Sequence, residues 1–263
     1  MKAVLLIPCF NFERGVPSML DQVSRWHGAA GHDFLVCTID DGSTDRTADL
    51  LQRFASEQRS WFRCIRLGIN QGKGAAIKKG FELFASEAEF IFFTDCDLHY
   101  GLPILTEVFM PLLERNDIVI ADRSWVGSSN HDAASRRLSS YVFNRVMSIL
   151  TGVTYRDSQA GCKGFRSSAC APIFELLRTK GFAFDVEILS IARFYRFRIA
   201  QVPVRFRSTQ SPPEWTSIRL LRAAVPTLLD LFRINVRWKR GCYKHPLLEK
   251  RIDDAVYLIE DRM

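Results

Sequence analysis

The chain has 263 residues, with 36 Lys and Arg against 29 Asp and Glu, a formal net charge of +7 and a sequence pI near 9.2. Hydrophobic residues at 47% and charged residues at 25% describe a globular chain and exclude a disordered, collagen-like or low-complexity one. No apolar run reaches the roughly 18 residues of a membrane-spanning helix, and the apolar stretch before Pro8 is too short for a secretion signal. The expected location is therefore the cytosol.

Seven cysteines, an odd number with no CxxC pair, suggest neither a disulfide framework nor a zinc site. The positive balance admits nucleic acid, an anionic membrane surface or phosphorylated substrates as partners. No zinc-finger, helix-turn-helix or RNA-binding aromatic signature supports nucleic acid, so none is expected as a partner.

In chain order, the first half alternates short strands with helices of about a dozen residues. Strands are predicted over Ala3–Cys9, Phe34–Asp40, Trp61–Leu67, Glu89–Asp95 and Asp117–Ala121. Helices are predicted over Val16–Ala30, Asp45–Gln58, Lys73–Ser86 and Leu102–Glu114. This alternation implies an α/β fold with one mostly parallel central sheet flanked by helices. The second half is more helical, with helices over Ser135–Leu150, Ser168–Arg178 and Asp185–Tyr195, and strands over Gly161–Arg166 and Ile199–Phe206. Residues 1–210 are then expected to form the main domain. A polar, Pro-rich break at Ser208–Pro213 opens a C-terminal helical extension over 211–263.

Ligands of such sheets bind beyond the carboxyl ends of the strands. Those ends carry Pro8-Cys9-Phe10-Asn11, Asp40-Asp41-Gly42-Ser43 and Asp95-Cys96-Asp97. Two carboxylates at i and i+2 can hold Mg²⁺ or Mn²⁺ while a diphosphate fills the remaining positions. His99 is a third candidate ligand, because imidazole suits Mn²⁺ better than Mg²⁺. Asp40 and Asp41 are suited to a ribose or a base edge, and the small polar residues after them to capping the next helix. Asn70-Gln71-Gly72-Lys73-Gly74 opens a helix and reads either as an anion site or as a glycine turn. Arg123, Arg136 and Arg137 flank a polar loop and could take phosphate.

This series resembles the family 2 glycosyltransferases with the A-type fold. The segments Asp157-Ser158-Gln159-Ala160-Gly161-Cys162-Lys163-Gly164-Phe165, Gly181-Phe182-Ala183-Phe184-Asp185-Val186-Glu187 and Val202-Pro203-Val204 sharpen the likeness. Together they resemble the polyprenyl-phosphate (dolichyl-phosphate) hexosyltransferase branch, above all the β-glucosyltransferases. The likeness covers roughly residues 3 to 207.

The resemblance implies that Pro8, Phe10, Asn11, Asp40 and Asp41 shape the nucleotide pocket, with Lys73 near the nucleotide. It implies that Asp95 and Asp97 hold the metal, with His99 where relatives carry a Gln ligand. Arg123, Arg136 and Ser140 would bind the acceptor phosphate, and Asp157, Gln159, Asp185 and Glu187 would line the sugar side. Two departures stand out: Phe12 occupies the place of a usual Glu, and Cys162 that of a usual Phe.

The implied reaction is an inverting transfer of a hexose from a nucleotide sugar to a polyprenyl phosphate. UDP-glucose is the first choice of donor, ahead of UDP-GlcNAc and GDP-mannose. A phosphate acceptor attacks without a protein base, being largely dianionic near neutral pH. A soluble glycan or small-molecule hydroxyl, the alternative acceptor, would need one, and Asp185, Asp157 or Glu187 are candidates. A non-catalytic binding subunit is a more distant alternative. The sequence assigns no oligomeric state.

In the helical tail from Trp215 to Arg240, the stretch from Ile218 sets arginines at 219, 222, 233, 237 and 240 on one stripe beside a wide apolar face. That is the pattern of an interfacial helix, or of a helix packed on protein. Pro226 interrupts it, so two helices in sequence are expected.

Overall fold

The computed structural model describes residues 1–30, 33–123, 145, 147–204 and 217–251, with the backbone alone at 30 and 217–224. Seven strands form one sheet: β1 (Ala3–Cys9), β2 (Phe34–Asp40), β3 (Phe62–Arg66), β4 (Phe90–Thr94), β5 (Ile118–Asp122), β6 (Cys162–Arg166) and β7 (Ile199–Pro203). Their order is β3-β2-β1-β4-β6-β5-β7. All pairings are parallel except those of β6, which runs antiparallel to both β4 and β5.

That single reversal positions the site. Because β6 runs backwards, its first residue, Cys162, pairs with the last residue of β4, Thr94. The turn before β6 therefore lies at the edge where β1, β2, β4 and β5 end.

The helices are α1 (Val16–Ala30), α2 (Thr47–Glu57), α3 (Lys73–Phe84), α4 (a π-helical Leu105–Phe109 running into an α-helical Met110–Leu113), α5 (147–151), α6 (Ser167–Leu176), α7 (Phe184–Phe194), α8 (Ser217–Lys239) and α9 (246–251). Every side chain of β1, β2, β4 and β5 is buried, as expected for a sheet covered on both faces. Alternation divides β1 between two cores. Val4 and Leu6 pack with Phe93, Phe165 and the residues of α3, α6 and α7. Leu5 and Ile7 pack with Phe92 and the residues of α1 and α4. Gly80 lets α3 lie close to the sheet, since a Cβ there would meet Leu6 and Ile39 methyls below 3 Å.

Two predicted elements differ in form. The helix expected over Leu102–Glu114 begins with a wide turn in which the Met110 N–H bonds to the Leu105 carbonyl. The next residue, Pro111, has no N–H to give to the Glu107 carbonyl, and the wider turn accommodates this. The two helices expected around Pro226 are one helix, α8, running through the proline. Pro226 is exposed, so the carbonyl one turn earlier can bond to water instead.

The segment after residue 217 is packed into the body. Leu231, Ile234, Tyr243 and Leu248 belong to the same core as α6 and α7. The Tyr195 hydroxyl donates to the Tyr243 carbonyl at 2.6 Å, and the Asn235 amide to the Leu150 carbonyl at 2.5 Å.

Candidate active site

The loops after β1 and β2 are sewn together. Asn11 sits at φ +48°, a left-handed conformation that Asn tolerates better than most residues. Its side-chain oxygen accepts from the Thr44 N–H at 2.9 Å, while its own N–H donates to the Ser43 hydroxyl at 2.9 Å. Pro8 is buried beneath this junction, and Phe10 stands exposed on it.

Asp40 is fully buried, with its Oδ2 accepting from the Ser43 N–H at 3.3 Å and facing the Arg66 guanidinium at 3.6 Å. Asp41 is nearly as buried and accepts from the backbone N–H groups of Gln71 (2.8 Å) and Gly72 (2.7 Å). Its carboxylate thereby fixes the segment that carries Lys73.

The glycines around Lys73 serve packing. A Cβ on Gly72 or Gly74 would sit 2.5–2.7 Å from the Lys180 carbonyl oxygen, the Phe184 Cβ or the Thr179 carbonyl oxygen. The Gly74 N–H donates to the Lys180 carbonyl at 2.7 Å. A protein carbonyl thus occupies this helix start, and of the anion-site reading only the lysine remains. Its Nζ lies 2.5 Å from Asp95 Oδ1. Burial disfavours the Lys73 ammonium, but the Asp95 and Asp185 carboxylates outweigh it and hold its pKa above the ordinary lysine value.

Asp95 and Asp97 follow directly on β4. The Asp95 N–H donates to the Gly161 carbonyl at 3.0 Å. Gly161 has no room for a side chain, because a Cβ there would fall 1.7 Å from Asp95 Oδ2. The Gly161 N–H in turn donates to the Tyr100 hydroxyl at 2.8 Å. Asp97 keeps 43% of its side chain exposed and faces His99 Nε2 at 3.0 Å. Burial, and then the neighbouring Asp95 charge, hold the Asp97 carboxyl above its usual range.

Two crowded carboxylates at a half-open strand end, one already against an ammonium, suit a cation. Among the described residues no three His, Cys, Asp or Glu side chains converge as a metal cage. The donor set therefore fits a hard divalent ion held by Asp95 and Asp97 and completed by substrate oxygens, not a protein-only cage. For His99 Nε2 to be a ligand, it would first have to leave Asp97.

Behind this edge the remaining predicted residues fall into separate groups. Arg123, just past β5, grips Asp157 with Nε at 2.6 Å, a terminal guanidinium nitrogen at 2.8 Å and its backbone N–H at 2.9 Å. Burial would raise the Asp157 carboxyl, but Arg123 overrides it and holds the carboxyl low. Gln159 is half-buried in the same turn.

Asp185 is buried and pairs with Lys163 at 2.7 Å; Lys163 also donates to the Ala160 carbonyl at 2.6 Å. Burial presses the Lys163 pKa down and the Asp185 pKa up, and each partner opposes that pressure on the other. Glu187 points toward the C-terminal segment. It accepts from the backbone N–H groups of Arg178 (3.2 Å) and Thr179 (2.6 Å), from Arg237 at 2.9 Å and from the Tyr243 hydroxyl. Arg136 and Ser140 lie outside the described residues.

Sequence reasoning assigned no role to Lys163, Tyr100 or Gly161. Lys163 did leave a signal, since a lysine between Cys162 and Phe165 inside a short strand needs a buried partner. Tyr100 left none, because only the fold brings it to Gly161.

Comparison with known proteins places the chain in a family. The profile of Glycosyl transferase family 2 matches residues 4–174. Two dolichyl-phosphate β-glucosyltransferases are similar along most of the chain. The Dictyostelium discoideum protein is 29% identical over 256 residues, covering 91% of this chain and 76% of its own. The Homo sapiens protein is 28% identical over 257 residues with the same coverage.

Among solved structures, glucosyl-3-phosphoglycerate synthase from Mycobacterium tuberculosis, in complex with Mn²⁺, UDP and glucosyl-3-phosphoglycerate, superposes with a TM-score of 0.62. It is 20% identical, and the match covers 89% of this chain and 79% of that one. S. aureus TarS matches with a TM-score of 0.53 at 16% identity, over 90% and 72% of the two chains. These likenesses show a shared fold. With more than half of its residues matched to the family profile, the chain belongs to glycosyl transferase family 2.

Proposed function

We propose that the chain transfers a hexose, with inversion, from a nucleotide sugar to a polyprenyl (dolichyl) phosphate at a membrane face. UDP-glucose is the preferred donor. The names of the two dolichyl-phosphate β-glucosyltransferases support both the glucosyl group and the phosphate acceptor.

The observation that carries the acceptor choice is the state of the three carboxylates that could have served as a general base. Asp157 is held by Arg123, Asp185 by Lys163 and Glu187 by Arg237. A hydroxyl acceptor needs a free base within reach. A phosphate monoester brings its own negative oxygen. A site that has neutralised its acids suits the second.

In this reading the loops carrying Pro8, Phe10, Asn11, Asp40 and Asp41 receive the nucleoside, with Phe10 offering an exposed ring. Asp95 and Asp97 would hold Mg²⁺ or Mn²⁺, which supplies charge stabilisation for the departing diphosphate when bound. Lys73 holds Asp95 in place and adds positive charge beside it. Gly161, held by the Tyr100 hydroxyl, accepts the Asp95 backbone N–H and leaves room for its carboxylate. Arg123 sits beside the sugar and acceptor region with its guanidinium oriented by Asp157, and Arg136 and Ser140 are further acceptor-phosphate candidates. Orientation and electrostatics then supply most of the rate.

A donor screen reading nucleoside diphosphate release, with and without a prenyl phosphate, tests this. UDP release from UDP-glucose that requires both prenyl phosphate and a divalent ion is expected. Equal turnover with a soluble sugar hydroxyl and none with prenyl phosphate would refute the acceptor.

A further inference from the structure

Among the described residues no helix is long and apolar enough to cross a membrane, yet α8 carries an apolar face that the body does not cover. Leu231 and Ile234 point into the core, and Trp238, one turn on, packs against it. Roughly opposite, Val225, Leu228, Leu229 and Phe232 follow the i, i+3, i+4, i+7 spacing of a single helix face. They expose between 39% and 59% of their surface.

The stripe has two neighbours. Phe182, 66% exposed, follows Gly181, where a Cβ would lie 3.3 Å from the Asp230 carboxylate of α8. On the same flank stand the exposed Arg233, which pairs with Asp230 at 3.0 Å, and Arg240, while Lys239, seven residues after Phe232, continues the apolar line. A helix with one face in the core, one bare apolar face and a basic flank has the form of an element lying in a lipid interface.

We propose that Val225, Leu228, Leu229, Phe232 and Phe182 insert into the surface of an anionic membrane, with Arg233, Lys239 and Arg240 on lipid headgroups. Charge selects this occupant: a second copy would bring its own arginine flank and a net +7 chain to the same contact, whereas anionic headgroups complement it.

The structure also ties this face to the candidate site. Arg237 anchors α8 to Glu187, and Glu187 holds the backbone of Arg178 and Thr179. The same loop gives its Lys180 carbonyl to Gly74, next to Lys73. A membrane under α8 and Phe182 would therefore lie one loop away from the ammonium that touches Asp95. The inference deepens the acceptor reading and rests on it only for what the membrane delivers.

Co-sedimentation with phosphatidylcholine vesicles, with and without phosphatidylserine, tests it on the full chain. Binding to the anionic vesicles that weakens with salt is expected. Leu229→Ser with Phe232→Ser should lower the partition coefficient about tenfold or more. Arg233→Glu with Arg240→Glu, a pair that leaves the apolar stripe intact, should remove the preference for phosphatidylserine. A melting curve confirms that each variant is folded.

Transfer to a short, water-soluble prenyl phosphate should be unchanged in the serine variant, while transfer to a long prenyl phosphate embedded in vesicles should fall with the partition. Unchanged vesicle binding by both folded variants overturns the proposal. So does a wild-type dimer that the serine variant dissolves, without vesicle binding by either. If vesicle binding follows the variants but no prenyl phosphate is ever glycosylated, the membrane face stands and the acceptor reading falls.

Discussion

At the ends of β2 and β4 the acids are unevenly matched, whereas around β6 and α7 each acid has a cation of its own. Asp95 pairs with Lys73 and Asp40 faces Arg66. Asp41 binds two backbone amides and Asp97 stays half-exposed beside Asp95. Asp157, Asp185 and Glu187 are instead matched one for one by Arg123, Lys163 and Arg237. The first arrangement leaves the Asp95–Asp97 pair with surplus negative charge at a half-open edge, which suits a cation. The second removes charge from the chemistry and turns it into architecture. An aspartate left half-exposed, like Asp97, can serve as a reagent, whereas one buried against a cation, like Asp185, serves as a strut.

The sharpest way to break this comparison is to remove a strut. Lys163→Met leaves Asp185 buried without its partner and should cost about 3–5 kcal/mol of stability, read as a lower urea midpoint. Adding Asp185→Leu should recover much of it, because the isolated charge is then gone. If the single variant is as stable as the wild type, the pair is not structural and Asp185 returns as a candidate base.

On the other side, Asp97→Asn should lower transfer about a hundredfold or more while leaving the melting temperature close to that of the wild type. A large loss of stability would place Asp97 among the struts.

Gly161 joins the two regions, so Gly161→Ala is the next test. The new methyl must displace the Asp95 carboxylate, and about a tenfold weaker response to divalent ion is expected in a metal titration of activity. An unchanged midpoint would mean that the exact seat of Asp95 is unimportant.

The smallest effect is a difference of sign in pH dependence. The Asp157 carboxyl is lower in the folded chain than in the unfolded one. Its contribution is therefore complete above the ordinary carboxylate pKa of about 3.9 and is lost as pH falls through the folded value. The Asp97 carboxyl is raised, so its charge costs stability as pH rises through the window between its unfolded and folded values. Asp157→Asn should flatten the acid limb of melting temperature against pH, and Asp97→Asn should steepen it. The opposite pattern would reverse the assignment of the two groups.

Much of the fold was legible because each signal is local. Short β-rich runs alternating with amphipathic helices can only pack as a covered parallel sheet, and the predicted strands from Ala3 to Asp122 match the observed ones to within one or two residues. Pro226 misled because helix continuation depends on whether a lost hydrogen bond faces water, which the sequence does not record.

The sequence by itself determined that Asp95 and Asp97 leave an apolar strand at the ligand edge. A strand has two ends, and in a parallel sheet the order of elements decides which end collects the loops. Which acids remain available was decided by tertiary structure alone. Lys163 reaches Asp185, and Gly161 makes room for Asp95, only because β6 runs antiparallel beside β4. The exposed stripe of α8 likewise could not be separated from its buried one until Leu231 and Ile234 had found the core. Periodicity shows that a helix has faces; only packing shows which of them are used.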